Sequence, residues 1–227
     1  MKTVVITGAN RGIGLEFVKQ YLACGYQVVA CCREPDKAES LQALTCTELQ
    51  VLPLDVTDAG SIQQLPGLLS GRAISLFINN AGVYGERQSL DEVEEELWLE
   101  VFRVNTIAPL LLTRALLPLM DRQAPGKLVY LSSKMGSIAD NSGGGIYIYR
   151  TSKTALNQVI KSLSIDLAGE GLLVAALHPG WVQTDMGGPG ADIDTFTSVT
   201  GLRSVIENLN ASGSGGFFNY DGSIIPW

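Results

Sequence analysis

Charge, histidine and lysine–arginine clusters are all scarce in this 227-residue sequence. Charged residues make up 17% of the chain, and 16 basic residues face 23 acidic ones, for a formal net charge of −7. This acidic balance argues against a nucleic acid or an anionic membrane as a partner. One histidine and four cysteines without a Cys-x-x-Cys pair argue against a zinc site, so we expect no metal.

Long hydrophobic runs are also missing. The longest apolar stretch, 107–120, is interrupted by proline and arginine and is too short to cross a bilayer. The chain passes from Met1 and Lys2 directly into a strand-like segment, which predicts no signal peptide. We therefore expect a cytoplasmic protein. We expect its cysteines to be reduced core residues: Cys24, Cys31, Cys32 and Cys46.

What the chain does contain is 46% apolar residues, arranged as short β-branched runs that alternate with helix-period segments. Strands that are apolar at nearly every position, with helices between them, indicate a parallel sheet covered on both faces. We predict an α/β fold of one domain over 1–227, a doubly wound Rossmann-type sheet. The predicted strands are 3–7, 26–32, 49–54, 74–79, 127–132, 172–178 and 216–220.

Two other segments have readable patterns. Ser89 and Glu92 have the spacing of a capping box, so the acidic run 91–100 is interpreted as the solvated start of a helix. The span 185–200 is glycine-rich and irregular, and we expect it to be a surface lid over a substrate site.

A glycine turn follows the first predicted strand. In "TGANRGIG" (7–14), Gly8, Gly12 and Gly14 lie between a strand and a helix, at the first crossover of the sheet. Glycines there let the backbone approach a pyrophosphate, which then sits on the positive end of the helix. A purely structural turn is the alternative.

The residues after the second strand bear on which nucleotide would bind. An acid is expected there in NAD-binding proteins, but the sequence reads Cys31, Cys32, Arg33. Arg33 and Arg11 would suit a 2′-phosphate, because guanidinium groups match phosphate oxygens. We therefore favour NADP(H) over NAD(H) as the cofactor; the alternative is that both are ordinary surface arginines.

Tyr149 and Lys153 are four positions apart at the start of a helical run, so they share one helix face. Taken alone, the pair fits an amphipathic helix that shows both groups to water. Other motifs, however, accompany it in a fixed order: the glycine turn, "NNAG" (79–82), "RVNTIAP" with Asn105, "YLSS" (130–133), "YRTSK" (149–153) and "HPGWVQTDM" (178–186). Together they resemble the short-chain dehydrogenase/reductase family over essentially the whole chain, and within it the C-factor and sniffer-type carbonyl reductases.

The resemblance implies a catalytic set of Asn105, Ser133, Tyr149 and Lys153. Tyr149 would be the general acid in carbonyl reduction, or the base in alcohol oxidation. Lys153 would lower the pKa of the phenol and bind the nicotinamide ribose. Ser133 would stabilise the substrate oxygen, and Asn105 would hold a water that returns the proton.

The resemblance also implies cofactor contacts along the whole chain. For Asp55 the alternative is a helix cap, for "HPG" the alternative is a turn without a cofactor contact, and His178 is interpreted as structural. The implied cofactor-binding residues are Gly8, Asn10, Arg11, Gly12, Ile13, Gly14, Arg33, Asp55, Val56, Asn79, Ala81, Gly82, Tyr149, Lys153, Pro179, Gly180, Val182 and Thr184.

One departure and two alternatives complete the prediction. Ser133 and Tyr149 are 16 positions apart, further than in many relatives, which puts the substrate's shape in doubt. A nucleotide-binding signalling protein is the main alternative; a sugar-nucleotide epimerase would need a longer chain. A small carbonyl or alcohol is the expected partner, and a homodimer or homotetramer through helices near 97–120 and 147–168 is possible by analogy.

Overall fold

A computed structural model describes residues 1–69, 71–86 and 88–227. Within these residues the strands form one parallel sheet of seven strands in the order β3-β2-β1-β4-β5-β6-β7. Every predicted strand is confirmed, with each boundary within one residue of the expected one. The strands are β1 (Thr3–Thr7), β2 (Gln27–Cys32), β3 (Leu49–Pro53), β4 (Ile74–Asn79), β5 (Lys127–Leu131), β6 (Leu173–His178) and β7 (Gly216–Asn219).

Helices cover both faces of the sheet, as the doubly wound fold requires. Those that bear on the site are α1 (Gly12–Ala23), α2 (Glu39–Gln42), α3 (Ala59–Leu68), α4 (Glu95–Phe102), α5 (Ala108–Leu116), α6 (Tyr147–Asp166) and α7 (Thr195–Asn208). A π-helical turn, Arg103–Ile107, joins α4 to α5. The predicted single-domain Rossmann-type fold is confirmed.

Two apolar clusters hold the layers together, one on each face of the sheet. Alternate residues of β1 separate them, since Val5 belongs to one cluster and Ile6 to the other. The first contains Leu112 of α5 and Leu156 of α6, and the second contains Phe17 of α1. Each large side chain buried in this way contributes roughly 1.5–3 kcal/mol, so the sheet is a rigid base for what lies at its ends.

The strand order reverses at β1, which lies between β2 and β4. The chain leaves β1 toward one edge of the sheet and later returns to build toward the other. In open parallel sheets a crevice forms at this switch point, outside the carboxyl ends of the strands. The predicted site residues lie on that side.

Three expectations need correction. Cys31 and Cys32 are buried in β2, but Cys24 and Cys46 are exposed, because one follows the end of α1 and the other lies in the turn before β3. The capping box of Ser89 is present, yet it starts a short 3₁₀ turn, and α4 begins only at Glu95.

The third correction concerns 185–200, which is not irregular throughout. Helix α7 begins at Thr195, and Ser198 and Val199 are fully buried on its inner face. The earlier part is braced by hydrogen bonds between Gln183 and Ile193 and between Ile193 and Trp181.

Of the residues that the structure describes, none lies in a helix both long and apolar enough to cross a membrane.

Candidate functional site

The glycine turn after β1 is too crowded for side chains. A Cβ on Gly14 would lie 2.2 Å from the carbonyl oxygen of Gly8, and one on Gly8 would lie 2.9 Å from the Cα of Ala81. Gly8 also has a φ of +64°, which favours glycine. Arg11 precedes α1, and in the described chain its side chain makes no capping hydrogen bond to that helix. The N–H groups of the first turn are thus available to an anion, which fits a pyrophosphate.

Asn80 ties this turn to the end of β4, a role that sequence reasoning missed. Its side-chain Nδ2 donates to the carbonyl oxygens of Thr7 (2.9 Å) and Gly8 (3.0 Å). In return the hydroxyl of Thr7 accepts from the backbone N–H groups of Asn80 (3.1 Å) and Ala81 (3.0 Å). The second asparagine of "NNAG" was the available signal, and it holds the two loops in register.

The two arginines expected at a 2′-phosphate lie at the surface near the carboxyl end of the sheet. Arg33 immediately follows β2 and is exposed. Arg11 donates to the carboxylate of Asp185 at 2.5 Å, in an exposed ion pair that bridges the glycine turn and the loop after β6. An ion pair this exposed contributes little stability, so it would yield readily to a phosphate.

Asp55, after β3, is not the cap of the next helix. Asp58 caps α3 by accepting from the N–H groups of Gly60 and Ser61. Asp55 instead accepts two hydrogen bonds from Thr57, at 2.8 and 2.7 Å, and these hold the pKa of its carboxyl below its usual range. The helix-cap reading of Asp55 is therefore excluded.

The four expected catalytic residues come from three separate elements. Tyr149 and Lys153 lie on the first turns of α6, Ser133 follows β5, and Asn105 lies in the π-helical turn. Helix α6 packs tightly on the turn after Ser133, since a Cβ on Gly136 would lie 2.8 Å from the backbone of Lys153. All four side chains are buried.

The side chain of Asn105 makes three hydrogen bonds to protein atoms. It accepts from the N–H of Val83 (2.9 Å) and donates to the carbonyl of Val83 (2.8 Å) and the hydroxyl of Ser152 (3.0 Å). This amide therefore clamps the chain after β4 to α6. Both Nδ2 donors are used in these contacts, and the Oδ1 atom, which accepts one hydrogen bond, keeps a second lone pair.

Lys153 is a buried cation without an acidic partner among the described residues. It is 5% exposed, and its Nζ donates to the carbonyl oxygen of Leu131 at 2.8 Å. Burial lowers the pKa of Lys153 to about 8. A buried charge without a partner does not stabilise the fold, so it indicates a functional site.

Burial raises the pKa of Tyr149 to about 12, while the nearby hydroxyl of Ser133 acts in the opposite direction. The charge that the Tyr84 phenol can carry raises the pKa of Tyr149 further. The Nζ of Lys153 lies 5.8 Å from the centre of the Tyr149 ring and is turned toward Leu131. Burial therefore dominates the pKa of Tyr149, and the expected lowering of this pKa by Lys153 is not found.

The loop after β6 forms the other wall of the crevice. Gly180 lies against Ile193 and Tyr220, and the indole of Trp181 donates to the carbonyl of Gly187 at 2.8 Å. Burial lowers the pKa of His178 to about 4, so this histidine is neutral at neutral pH. That agrees with a structural role for it.

The remaining predicted cofactor contacts lie at the same edge of the sheet, in loops or, for Gly12 and Ile13, in the first turn of α1. They follow β1, β3, β4 and β6 in turn: Asn10, Gly12 and Ile13; Val56; Ala81 and Gly82, just after Asn79 at the end of β4; and Pro179, Val182 and Thr184.

Comparisons with known proteins agree with this geometry. The family model described as short chain dehydrogenase matches residues 2–192. C-signal of Myxococcus xanthus is 45% identical over 154 residues, which are 68% of this chain and 93% of C-signal. Carbonyl reductase Sniffer of D. melanogaster superposes with a TM-score of 0.95 at 34% identity, over the whole of both chains. NADPH-bound carbonyl reductase from chicken fatty liver gives 0.93 at 38% identity, over 100% of this chain and 99% of the other.

Proposed function

The chain belongs to the short-chain dehydrogenase family, and from this we propose that it is an NADP(H)-dependent oxidoreductase that reduces a carbonyl compound. The observation that carries the proposal is the convergence of Ser133, Tyr149 and Lys153 in one buried site beside the glycine turn. Both carbonyl reductases named above share the fold over their full length.

The raised pKa of Tyr149 suits proton donation. With a pKa of about 12 the phenol is protonated throughout the physiological range, so it is ready to protonate an oxygen that gains negative charge. Ser133 would hydrogen-bond the same oxygen and stabilise that charge. In the oxidation of an alcohol the same group would act as the base and would have to start as the phenolate.

Lys153 would stabilise the phenolate that is left when Tyr149 has donated its proton. It would also bind a ribose hydroxyl of the cofactor. Its only described partner is the carbonyl of Leu131, so the other two N–H donors of the ammonium remain for a ligand. Asn105 would act indirectly, by clamping Val83 and so fixing the loop that faces Tyr149.

The cofactor is proposed from the chain's own groups. NADPH would supply the hydride; the protein would hold its pyrophosphate at the uncapped start of α1 and its 2′-phosphate on Arg33 and Arg11. Residues 185–194 would cover the substrate. If they do so by moving, their amide hydrogens should exchange faster in the free protein than with NADPH bound; equal protection in both states would contradict a mobile lid.

A substrate screen tests the enzyme directly. Small aldehydes, ketones and quinones are offered with NADPH, and loss of nicotinamide absorbance is followed. Tyr149→Phe keeps the ring, so NADPH should bind normally while turnover falls by about 10²-fold or more. Ser133→Ala should lower turnover without weakening NADPH binding. A substrate that Tyr149→Phe reduces at the wild-type rate would show that the proposed mechanism is wrong.

The similarity to C-signal favours a second candidate, a nucleotide-binding signalling protein. A buried ammonium beside a buried phenol is difficult to explain in a protein that only binds. The variants above separate the two candidates, since a signalling role would survive Tyr149→Phe. Assembly into dimers or tetramers through α4, α5 and α6 is a further proposal, which light scattering would test.

A further inference from the structure

An aromatic side chain that no motif pointed to lies against the proposed proton donor. The ring centres of Tyr84 and Tyr149 are 4.7 Å apart, and the ring planes are tilted by 42°. Tyr149 is 8% exposed, whereas Tyr84 is only half-buried. Tyr84 therefore covers one side of the Tyr149 ring and still presents part of its own surface to the crevice.

The chain fixes Tyr84 from both sides. The residue before it, Val83, is held at its N–H and its carbonyl by the amide of Asn105. The residue after it, Gly85, lies against α4, since a Cβ there would be 3.2 Å from a methyl group of Val101. With both neighbours anchored, the backbone of Tyr84 has little freedom to move away from Tyr149.

The hydroxyl group does not explain this placement. In the part of the chain that the structure describes, no hydrogen bond is formed by the side chain of Tyr84. The ring is what contacts Tyr149, and aromatic pairs at such distances favour tilted or offset packing. The contribution of Tyr84 should then depend on its ring and hardly on its oxygen.

We propose that Tyr84 is a positioning residue that orients the ring of Tyr149 and forms an aromatic wall beside the reacting carbonyl. The proposal rests on the proposed reductase function. A planar, conjugated carbonyl would lie on the open surface of Tyr84 with its oxygen toward Tyr149 and Ser133. A saturated, branched carbonyl would gain little from that surface, so Tyr84 would set a preference between the two classes.

Two variants separate the ring from the hydroxyl. Tyr84→Phe keeps the ring and removes the oxygen, and Tyr84→Leu fills the space without an aromatic surface. Each is assayed with a quinone and with a branched aliphatic aldehyde, and NADPH affinity is measured by fluorescence. Tyr84→Phe should match the wild type with both substrates.

Tyr84→Leu should lower kcat about 10-fold with both probes, because Tyr149 is less well held. It should also raise KM for the quinone by about 2- to 10-fold while leaving that for the aldehyde nearly unchanged, because only the quinone loses a stacking partner. NADPH affinity should not change. Wild-type kinetics in Tyr84→Leu, an equal loss in Tyr84→Phe, or weakened NADPH binding in Tyr84→Leu would each overturn the proposal.

A fluorine NMR measurement, which needs no turnover, distinguishes the positioning role of Tyr84 from the proposed reductase function. The protein is labelled with 3-fluorotyrosine, and the fluorine resonance missing from Tyr149→Phe is assigned to Tyr149. That resonance should shift in Tyr84→Leu, which removes the ring current, and stay near its wild-type position in Tyr84→Phe. An unchanged resonance in Tyr84→Leu overturns the positioning role. The resonance can shift in Tyr84→Leu while the wild-type protein reduces none of the carbonyls in the screen. That result would overturn the reductase function but would still support the contact between the two rings.

Discussion

Replacing Lys153 with methionine should make the folded protein more stable while it removes activity. The ammonium is buried and has no acidic partner in the described chain; its one partner there is the carbonyl of Leu131. Methionine has a similar length and carries no charge. Buried charges are often retained for function at a cost to stability, and this site offers a direct measurement of that cost.

The magnitude follows from the pKa of Lys153, which burial lowers from 10.5 to about 8. Each pH unit of that difference corresponds to about 1.4 kcal/mol, so burying the charge costs on the order of 3 kcal/mol. Methionine also gives up the hydrogen bond to Leu131, worth about 1 kcal/mol. The net gain expected for Lys153→Met at neutral pH is therefore about 2 kcal/mol.

The pH dependence has a definite sign. Below pH 8 Lys153 is protonated in both the folded and the unfolded chain, so the full cost is present. Between about 8 and 10.5 the unfolded chain binds the proton and the folded chain does not, so the wild type becomes more stable as pH rises. The advantage of Lys153→Met should shrink over the same interval.

Urea unfolding at neutral pH and near pH 10 measures both effects. A gain of about 2 kcal/mol corresponds to a rise in Tm of about 4–8 °C for a chain of this size. Lys161→Met is the matched control, because Lys161 lies on the same helix and is exposed. No gain in Lys153→Met at neutral pH, or a gain that persists unchanged near pH 10, would refute the reasoning.

Three other predictions follow from the same geometry. Arg33→Ala should weaken NADPH binding by about 10-fold or more and leave NADH binding nearly unchanged, as measured by fluorescence titration; equal affinities of the wild type for both would exclude the NADP preference. Gly14→Ala should reduce cofactor affinity and stability because its Cβ would lie 2.2 Å from Gly8, whereas Gly67→Ala in α3, with open space around it, should raise stability by up to about 1 kcal/mol. Carbonyl reduction should decline as pH rises through about 8, where Lys153 loses its proton, and a decline only near pH 12 would assign control to Tyr149 instead.

The architecture was readable from the sequence because the strands are short, apolar and β-branched. The five inner strands are buried at nearly every position, and burial on both faces requires such a continuous apolar pattern. The glycine turn was readable for a similar reason: backbone approach at Gly8 and Gly14 tolerates no side chain. Such local requirements restrict the residue types at each position, so they can be recognised in the sequence.

Features that depend on contacts between distant segments were harder to predict. Tyr84 is 65 positions from Tyr149, and nothing in its own neighbourhood marks it as part of the site. Asn105 was predicted as a site residue from its motif, but its contacts with Val83 were not, because they depend on the π-helical turn that contains it. The pKa of Tyr149 was misjudged because spacing reveals the neighbouring lysine but not the depth of burial.

The proposed site is also where the fold tolerates arrangements that the core excludes. Lys153 is a buried charge, and the Oδ1 atom of Asn79 is buried with no hydrogen-bond partner in the described chain. An unsatisfied buried oxygen lowers the stability of the fold by about 1–3 kcal/mol. The burial of the two apolar clusters beneath the site offsets this loss. Both groups lie at the carboxyl side of the sheet, beside the glycine turn and Tyr149. A ligand that donates to Asn79 and accepts from Lys153 would remove both costs on binding, and the proposed cofactor is such a ligand.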